Sequence, residues 1–246
     1  MRLASALRSF DPAQSMITAH ARGACDHAHR HDDAYAAIVL DGGYDEVSAD
    51  GAACIRDGDI VIHPPFHAHR NRFEGRGAVV LNIVLPAEKA ASLGYRVFRS
   101  GDIDDLIRLA RRAAPAAADA IIEAAVTASP DAPTDDWIET AIDHLRADPT
   151  LTVAAIANAA GYTPAHFSRA CTARYGAGPA ALRAEYRFRN AFRAMLGGAR
   201  PAAAASVAGY ADQAHFTRAC RRITGTSPAA LLRDIKSVQD AAFLRQ

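Results

Sequence analysis

A stretch of about twenty residues occurs twice in this chain: "AHFSRACTARYGAGPAALR" begins at Ala165 and "AHFTRACRRITGTSPAALLR" begins at Ala214. Ala165/Ala214, Arg169/Arg218, Cys171/Cys220, Gly176/Gly225 and Pro179/Pro228 all stand 49 residues apart, and a Gly-Tyr pair precedes each copy at Gly161-Tyr162 and Gly209-Tyr210. A period this constant is an architecture before it is a set of residues. Two copies are too few for a solenoid, which leaves a pair of like subdomains.

Each copy has the grammar of two short helices joined by a tight turn. Val153, Ile156, Ala157 and Ala160 recur at i, i+3, i+4, i+7, an apolar stripe on a helix that Thr152 caps and Gly161 ends. Thr163-Pro164 then starts the next helix, because proline at the first helical position loses no hydrogen bond. Along it Phe167, Ala170 and Cys171 share a face, with Ser168, Arg169 and Arg174 pointing elsewhere. In the second copy Asp212 is the cap, and Phe216, Ala219, Cys220 and Ile223 form the inner face. Gln213, His215, Thr217, Arg218, Arg221 and Arg222 lie outside or at the margins. Helix, glycine turn, then a helix with an exposed donor-rich face is the sequence form of a helix-turn-helix. Its second helix fits a major groove about 12 Å wide, where Arg and Gln read base edges. The competing reading is an all-helical packing module whose arginines are only a solvated face.

Gly-Tyr followed by "DQAHFTRACRRITGTSPAALLR" resembles the signature of the AraC/XylS family of transcription regulators, and the likeness covers Asp136 to Asp234. It implies two helix-turn-helix units held by a central helix, with both recognition helices in successive major grooves of DNA. The DNA-facing positions it implies are Thr163, Ala165, His166, Ser168 and Arg169 in the first unit, and Gln213, Ala214, His215, Thr217 and Arg218 in the second. From Ala184 to Leu196, Phe188, Ala191, Phe192 and Met195 form one stripe with Arg187, Arg189 and Arg193 off it, and Gly197-Gly198 stops the helix. Such a helix sets the spacing of two subdomains, and successive grooves on one face lie about 34 Å apart. The first helix of the second unit departs from the family: "PAAAASVAGY" has alanines where larger aliphatics are usual, which predicts a thin core there.

The overall charge of +1 hides an asymmetry. Residues 135–246 carry 14 Lys+Arg against 9 Asp+Glu, a balance of +5, whereas residues 1–134 carry 14 against 18, a balance of −4. Only the C-terminal half is suited to phosphates. "MRLASALRSF" lacks the apolar core of a signal peptide and no run approaches a membrane span, so a cytoplasmic protein is expected. Cys25, Cys54, Cys171 and Cys220 make no metal-type pair and read as reduced residues, with Cys25 the one to watch.

The N-terminal half has a different character. Residues Met1 to about Thr18 are uninformative, an arm or an edge strand. Beyond them "YAAIVLDGGYDEV", "GAACIRDGDIVIHPP" and "GAVVLNIVLP" are apolar runs separated by Gly-Gly, Asp-Gly and Pro-Pro, which read as strands with hairpin punctuation. Seven of the ten histidines fall between His20 and His69. Gly23, His29-x-His31, Tyr35 and Gly42 follow the first cupin motif, with Tyr35 where a metal-binding cupin has Glu; Gly58, Pro64 and His69 follow the second, with Phe66 in place of glycine. This resembles the small cupin barrel that AraC-type regulators use as an effector domain. Residues two apart on a strand face the same way, so His29 and His31 meet His69 inside a barrel. Three imidazoles with an open position suit Zn, Fe, Ni or Cu. Equally, His29, His31, Tyr35 and His69 line the pocket of an organic effector. His27, Asp32, Asp33, His63 and His67 read as rim or surface, although any of them could complete the coordination of a metal.

Helix returns after Pro86. Ile103, Leu106, Ile107 and Ala110 share a stripe with Asp102, Asp104 and Asp105 near its start, "PAAADAIIEAAVTA" supplies a second helix, and Ser129 to Asp136 has the proline and acid content of a linker. The resemblance implies that these helices pair two chains; covering the barrel is the alternative. The expected organisation is α+β: a cupin-like sensing domain over 1–86, a helical dimerisation or linker segment over 87–134, and a double helix-turn-helix over 135–246. The expected function is a sequence-specific transcription regulator that binds double-stranded DNA as a homodimer. A small molecule or metal controls it, and it meets RNA polymerase if it activates. The rival reading is a cupin metalloenzyme with a helical appendage, against which the chain offers no separate array of acid, base and nucleophile.

Overall fold

The computed structural model describes residues 7–8, 16–128 and 136–233, which divide into two compact units, one built on the strands and the helices that follow them, the other on the C-terminal helices. Of the foreseen linker from Ser129 to Asp136, residues 129–135 lie outside the described residues, as does most of the chain before Met16, and Asp136 caps the helix that starts at Trp137.

The first unit holds β1 (Leu7–Arg8), β2 (Met16–His20), β3 (Cys25–His31), β4 (Ala34–Ser48), β5 (Gly51–Arg56), β6 (Asp59–His63), β7 (His69–Arg72), β8 (Ala78–Leu85) and β9 (Arg96–Arg99). Its helices are α1 (Ala87–Leu93), α2 (Ile103–Arg112) and α3 (Ala114–Thr127). The 15-residue strand β4 organises all of this. Its first half pairs antiparallel with β6 and β8, whereas Asp45 to Ser48 pair with β7. Beyond those neighbours β2 extends the sheet from β8, β9 extends it from β6, and β3 joins β7. Two antiparallel sheets therefore share one strand and enclose an interior, the fold expected for a small cupin-like barrel.

Gly42-Gly43 is not the hairpin turn that the sequence suggested. The strand runs through it, with a register shift between Val39 and Asp41 where it bends from one sheet into the other. Gly42 has φ 78°, and a Cβ there would lie 2.0 Å from the Gly77 carbonyl oxygen. Strand β9, inside a region read as wholly helical, was likewise not foreseen, whereas β2, from Met16, is the edge strand that one of the two readings of the N-terminal stretch allowed.

Alternation along β4 sorts its side chains between two cores. Ala34, Ala36 and Ile38 join Ile60, Ile62, Leu81 and Ile83 beneath Leu106, Ala117, Ile121 and Ala125 of the helices. Tyr35, Ala37 and Val39 face the other way, with Tyr44, Val61, Phe73 and Val80. A strand buried on both faces reads as a continuous apolar run, which is why "YAAIVL" shows no polar alternation. The apolar stripes of α2 and α3 are thus buried on the sheet of their own chain, as the covering alternative required.

The second unit contains α4 (Trp137–Ala147), α5 (Val153–Ala159), α6 (Pro164–Tyr175), α7 (Pro179–Leu196), α8 (Pro201–Val207) and α9 (Gln213–Thr224), followed by a helical segment over 228–233. Helix α7 starts five residues before Ala184, the start read from the sequence, with Pro179 at its first turn, and buries Leu182, Phe188, Ala191, Phe192 and Met195. Helices α4, α6, α8 and α9 all pack on α7 while α5 packs on α4 and α6, and in α8 the inner positions are the alanines Ala204 and Ala205.

Gly77, like Gly42, has no room for a side chain. It has φ 88°, and a Cβ would lie 2.2 Å from the His20 carbonyl oxygen, whereas Gly75 has φ 59° and open space around it. Gly75→Ala should cost only the left-handed penalty of about 1–2 kcal/mol. Gly77→Ala should cost at least about 2 kcal/mol more, because the obstacle is backbone. Thermal melting of the two variants checks this; equal losses would show that β2 yields to the added methyl.

Candidate DNA interface and effector pocket

Two recognition helices are built by the same local rules. Thr163 Oγ1 accepts from His166 N at 3.2 Å and Asp212 Oδ1 accepts from His215 N at 2.6 Å, so corresponding positions of the repeat cap α6 and α9. Gly161 (φ 78°) and Gly209 (φ 75°) make the preceding turns, and Gly176 and Gly225 end the helices in the left-handed conformation. Phe167 and Cys171 of α6, and Phe216, Ala219 and Cys220 of α9, are buried, which turns the opposite faces outward.

On those faces Ala165, His166 and Arg169 are exposed with Ser168 half-buried, and Gln213, Ala214 and Arg218 are exposed with His215 and Thr217 half-buried. Thr163 is exposed and its oxygen is engaged in the cap. The two histidines are turned toward aromatic neighbours. His166 stacks on Tyr162 at 4.7 Å, and Tyr162 in turn lies 4.0 Å from Trp137. His215 meets Tyr210 edge-on at 5.1 Å. The arginines extend from the exposed faces, and no acid occupies the first turn of either helix. Burial pushes the Cys171 thiol up to about 12 and raises Cys220 as well, so both are inert core residues. Cys54 is exposed as well as Cys25.

In the strand unit, a cavity of about 170 Å³ is lined by His29, His31, Tyr35 and His69 together with Asp26, Asn71 and apolar side chains such as Phe73 and Val80. The three histidines converge: ring centroids are 5.1 Å apart for His29 and His31, 4.4 Å for His29 and His69, and 5.7 Å for His31 and His69. One ring nitrogen of each lies within 4.8 Å of the others. His29 Nδ1 donates to the His27 carbonyl at 2.8 Å and His69 Nδ1 to the His67 carbonyl at 3.2 Å, which leaves Nε2 of both as the lone-pair nitrogen. That is the tautomer a metal ion needs. Tyr35 donates its hydroxyl to His69 Nε2 at 3.2 Å, so the residue standing where a metal-binding cupin has Glu serves as a hydrogen-bond partner of the same histidine.

The structure corrects the placement of His63 and His67. Neither is at a rim: they are 1% and 2% exposed, and with His69 they form a second group whose ring nitrogens lie within 4.8 Å of one another. His63 stacks on Tyr35 at 4.4 Å and His67 on Tyr95 at 4.8 Å. Behind His63 lies Glu46, 1% exposed, whose carboxylate accepts from His63 Nε2 at 3.0 Å. Sequence reasoning passed over Glu46, although Tyr44, Glu46 and Ser48 alternate inward along β4. Phe66, in the loop between His63 and His69, is the one described non-glycine residue with positive φ, at 60°. It takes the left-handed backbone of the glycine it replaces and buries its ring to 3% exposure.

Burial, then the neighbouring His63, His29, His67 and His31, push His69 well below the ordinary imidazole pKa. Burial alone would raise Glu46, but His63 and His67 hold it below its usual value. In the unfolded chain a histidine takes up a proton near pH about 6.5 that folded His69 refuses. Stability of the metal-free strand unit should therefore fall as pH drops through about 6.5, by up to about 1.4 kcal/mol per pH unit for one such proton. The Glu46 contribution, present above the unfolded carboxylate pKa, is lost at lower pH still. Melting curves between pH 7.5 and 5 should show the slope, and His69→Gln should flatten it; an unchanged slope would place the proton uptake elsewhere.

Residues 156–234 match a family model described as a helix-turn-helix domain. No curated protein matches the sequence. Among solved structures, ToxT from Vibrio cholerae is 11% identical and the match covers 90% of this chain and 98% of that one, with a TM-score of 0.44. The C-terminal domain of AraT, a response regulator from Geobacillus stearothermophilus, is 20% identical over 42% of this chain and 88% of its own, at a TM-score of 0.39. An oxalate decarboxylase from Bacillus subtilis is 22% identical over 28% of this chain and 19% of that one, at 0.27. At these TM-scores the likenesses carry no argument, and the assignment rests on the repeat, its two capped helices and the matched domain. On that basis residues 156–234 of the chain form a helix-turn-helix domain.

Proposed function

We propose that the chain binds a specific operator through α6 and α9 as a homodimer, under the control of an effector held in the strand unit. Arg169 and Arg218 read bases, with Gln213, Thr217 and Ser168 beside them and Thr163, Ala165, His166, Ala214 and His215 lining the same faces. The observation that carries this is the pair of exposed arginines at equivalent positions of two helices capped by equivalent residues. The first unit offers only the short side chains of Ala165 and Ser168 around its arginine, so it reads fewer bases than the second.

The effector is a small molecule in the cavity lined by His29, His31, Tyr35 and His69, whose imidazoles and amide favour a ligand with its own donors and acceptors. The nitrogen geometry of His29, His31 and His69 supports a divalent transition metal as the other effector class. Among the described residues no helix is long and apolar enough to cross a membrane. A regulator of this kind works in the cytoplasm, and an activator would touch RNA polymerase.

Each bidentate arginine–guanine contact is worth about 1–3 kcal/mol, or roughly 5- to 150-fold in affinity. Arg169→Ala and Arg218→Ala should therefore each weaken binding to the operator by that factor and to unrelated DNA far less. Fluorescence anisotropy at physiological salt, with DNA from the chain's own upstream region, measures both; an unchanged operator affinity would remove these helices from the groove.

A further inference from the structure

We infer that His63, His67 and His69 form a second metal site, behind the wall of the effector cavity, which takes a divalent transition ion of the zinc type with Glu46 as the carboxylate that orients His63. Neither His63 nor His67 lines the cavity. The site is distinct from the His29, His31 and His69 arrangement, and shares only His69 with it.

Several independent features support it. All three imidazoles are at most 2% exposed, and their rings are 4.7 Å (His63 and His69), 5.4 Å (His63 and His67) and 5.6 Å (His67 and His69) apart. Nitrogens within 4.8 Å of one another are close to ligation. Zinc–nitrogen bonds of about 2.0–2.1 Å in a tetrahedron need separations of roughly 3.4 Å, a closure of about 1.5 Å at most. The tautomers also match. His69 Nδ1 is tied to the His67 carbonyl, which leaves Nε2 as the lone-pair nitrogen, and an ion there takes the place of the Tyr35 hydroxyl that now donates to it. His63 Nε2 donates to Glu46, which leaves Nδ1, and that nitrogen is buried without a hydrogen-bond partner among the described residues. A carboxylate on one imidazole nitrogen and an unpartnered lone pair on the other is the arrangement that sets a metal-ligating histidine in place. Glu46 is further held by a hydrogen bond from Tyr95. A buried carboxylate without a nearby positive charge is costly, and an ion on the far side of His63 supplies one.

Because His69 keeps one lone-pair nitrogen, an ion here and an ion on His29 and His31 exclude each other. The chain binds one zinc, and His29 and His31 stay with the cavity.

The test uses the full chain, stripped with chelator and titrated with zinc by calorimetry, with metal content read by elemental analysis. One ion per chain is expected. His63→Ala and His67→Ala should weaken zinc binding by at least tenfold more than His31→Ala does, and Glu46→Gln should weaken it by about 10- to 100-fold. Cobalt in the unsubstituted chain should show the strong visible bands of a four-coordinate ion, so the readout survives a variant that fails to fold. The reverse ranking, with zinc lost in His31→Ala and retained in His67→Ala, overturns the site and leaves the effector reading standing. So does a stripped chain that takes up no zinc. The effector reading fails separately, if pocket substitutions leave the ligand response of DNA binding unaltered.

Discussion

The close approach of Gly42 to Gly77 is the contact on which the strand unit depends. A Cβ at Gly42 would lie 2.0 Å from the Gly77 carbonyl oxygen, and Gly43 N donates to that same oxygen at 3.0 Å. Here β4 bends and passes from partners β6 and β8 to partner β7. Without the bend, Tyr35 and Glu46 would belong to one flat strand, and the histidines of β3, β6 and β7 would not close around them. Gly77 is held in turn against the end of β2, where a Cβ would meet the His20 carbonyl at 2.2 Å. Backbone packed this tightly admits only glycine. The glycines of a cupin-like motif are therefore geometric requirements of the enclosure rather than features of any ligand.

What the enclosure holds is unfavourable by ordinary folding standards. His29, His31, His63, His67, His69 and Glu46 are all buried to 7% exposure or less, in a space that apolar side chains would fill at lower cost. Tyr35 sits among them, bonded to His69 and stacked on His63. Phe66 adds a left-handed backbone, a strain of about 1–3 kcal/mol, in the loop that carries His67 and leads into β7 at His69. Burial of its ring, worth about 1.5–3 kcal/mol, offsets that strain. A sequence that keeps such a cluster gains something other than stability from it.

The helical unit was legible for a plain reason: its information is local. Caps, turn glycines and apolar stripes act within a few residues, so Thr152, Thr163 and Asp212 could be assigned as caps from sequence, and each accepts the backbone hydrogen bond that a cap accepts. The early start of α7 at Pro179 escaped because the stripe from Phe188 onward was read without the proline that opens the helix. In the strand unit the apolar runs and the His29, His31 and Tyr35 spacing were readable. Gly42-Gly43 was not, since a glycine pair marks a turn or a bulge equally well until the partner strand is known. Strand β9 has only four residues and owes its existence to β6, a non-local pairing that no window of sequence contains.

The misplacement of His63 and His67 has the same origin. His63 ends β6, and its facing residue is Tyr35, 28 positions earlier in the chain, so its burial is decided by a cross-strand pair rather than by its neighbours. Pro64 and Pro65 beside it suggested a surface turn. Both are real turn formers, but here the turn is folded inward, with Phe66 N bonded to the His31 carbonyl at 2.8 Å and the Arg30 guanidinium donating to the Phe66 carbonyl. Alternation along β4 held the one clue that needed no structure. Tyr44, Glu46 and Ser48 fall on a single face with Tyr44 plainly a core residue, so a carboxylate was bound to point inward and to require a donor. Its donors are the imidazole of His63 and the hydroxyl of Tyr95, both brought to it from other parts of the chain.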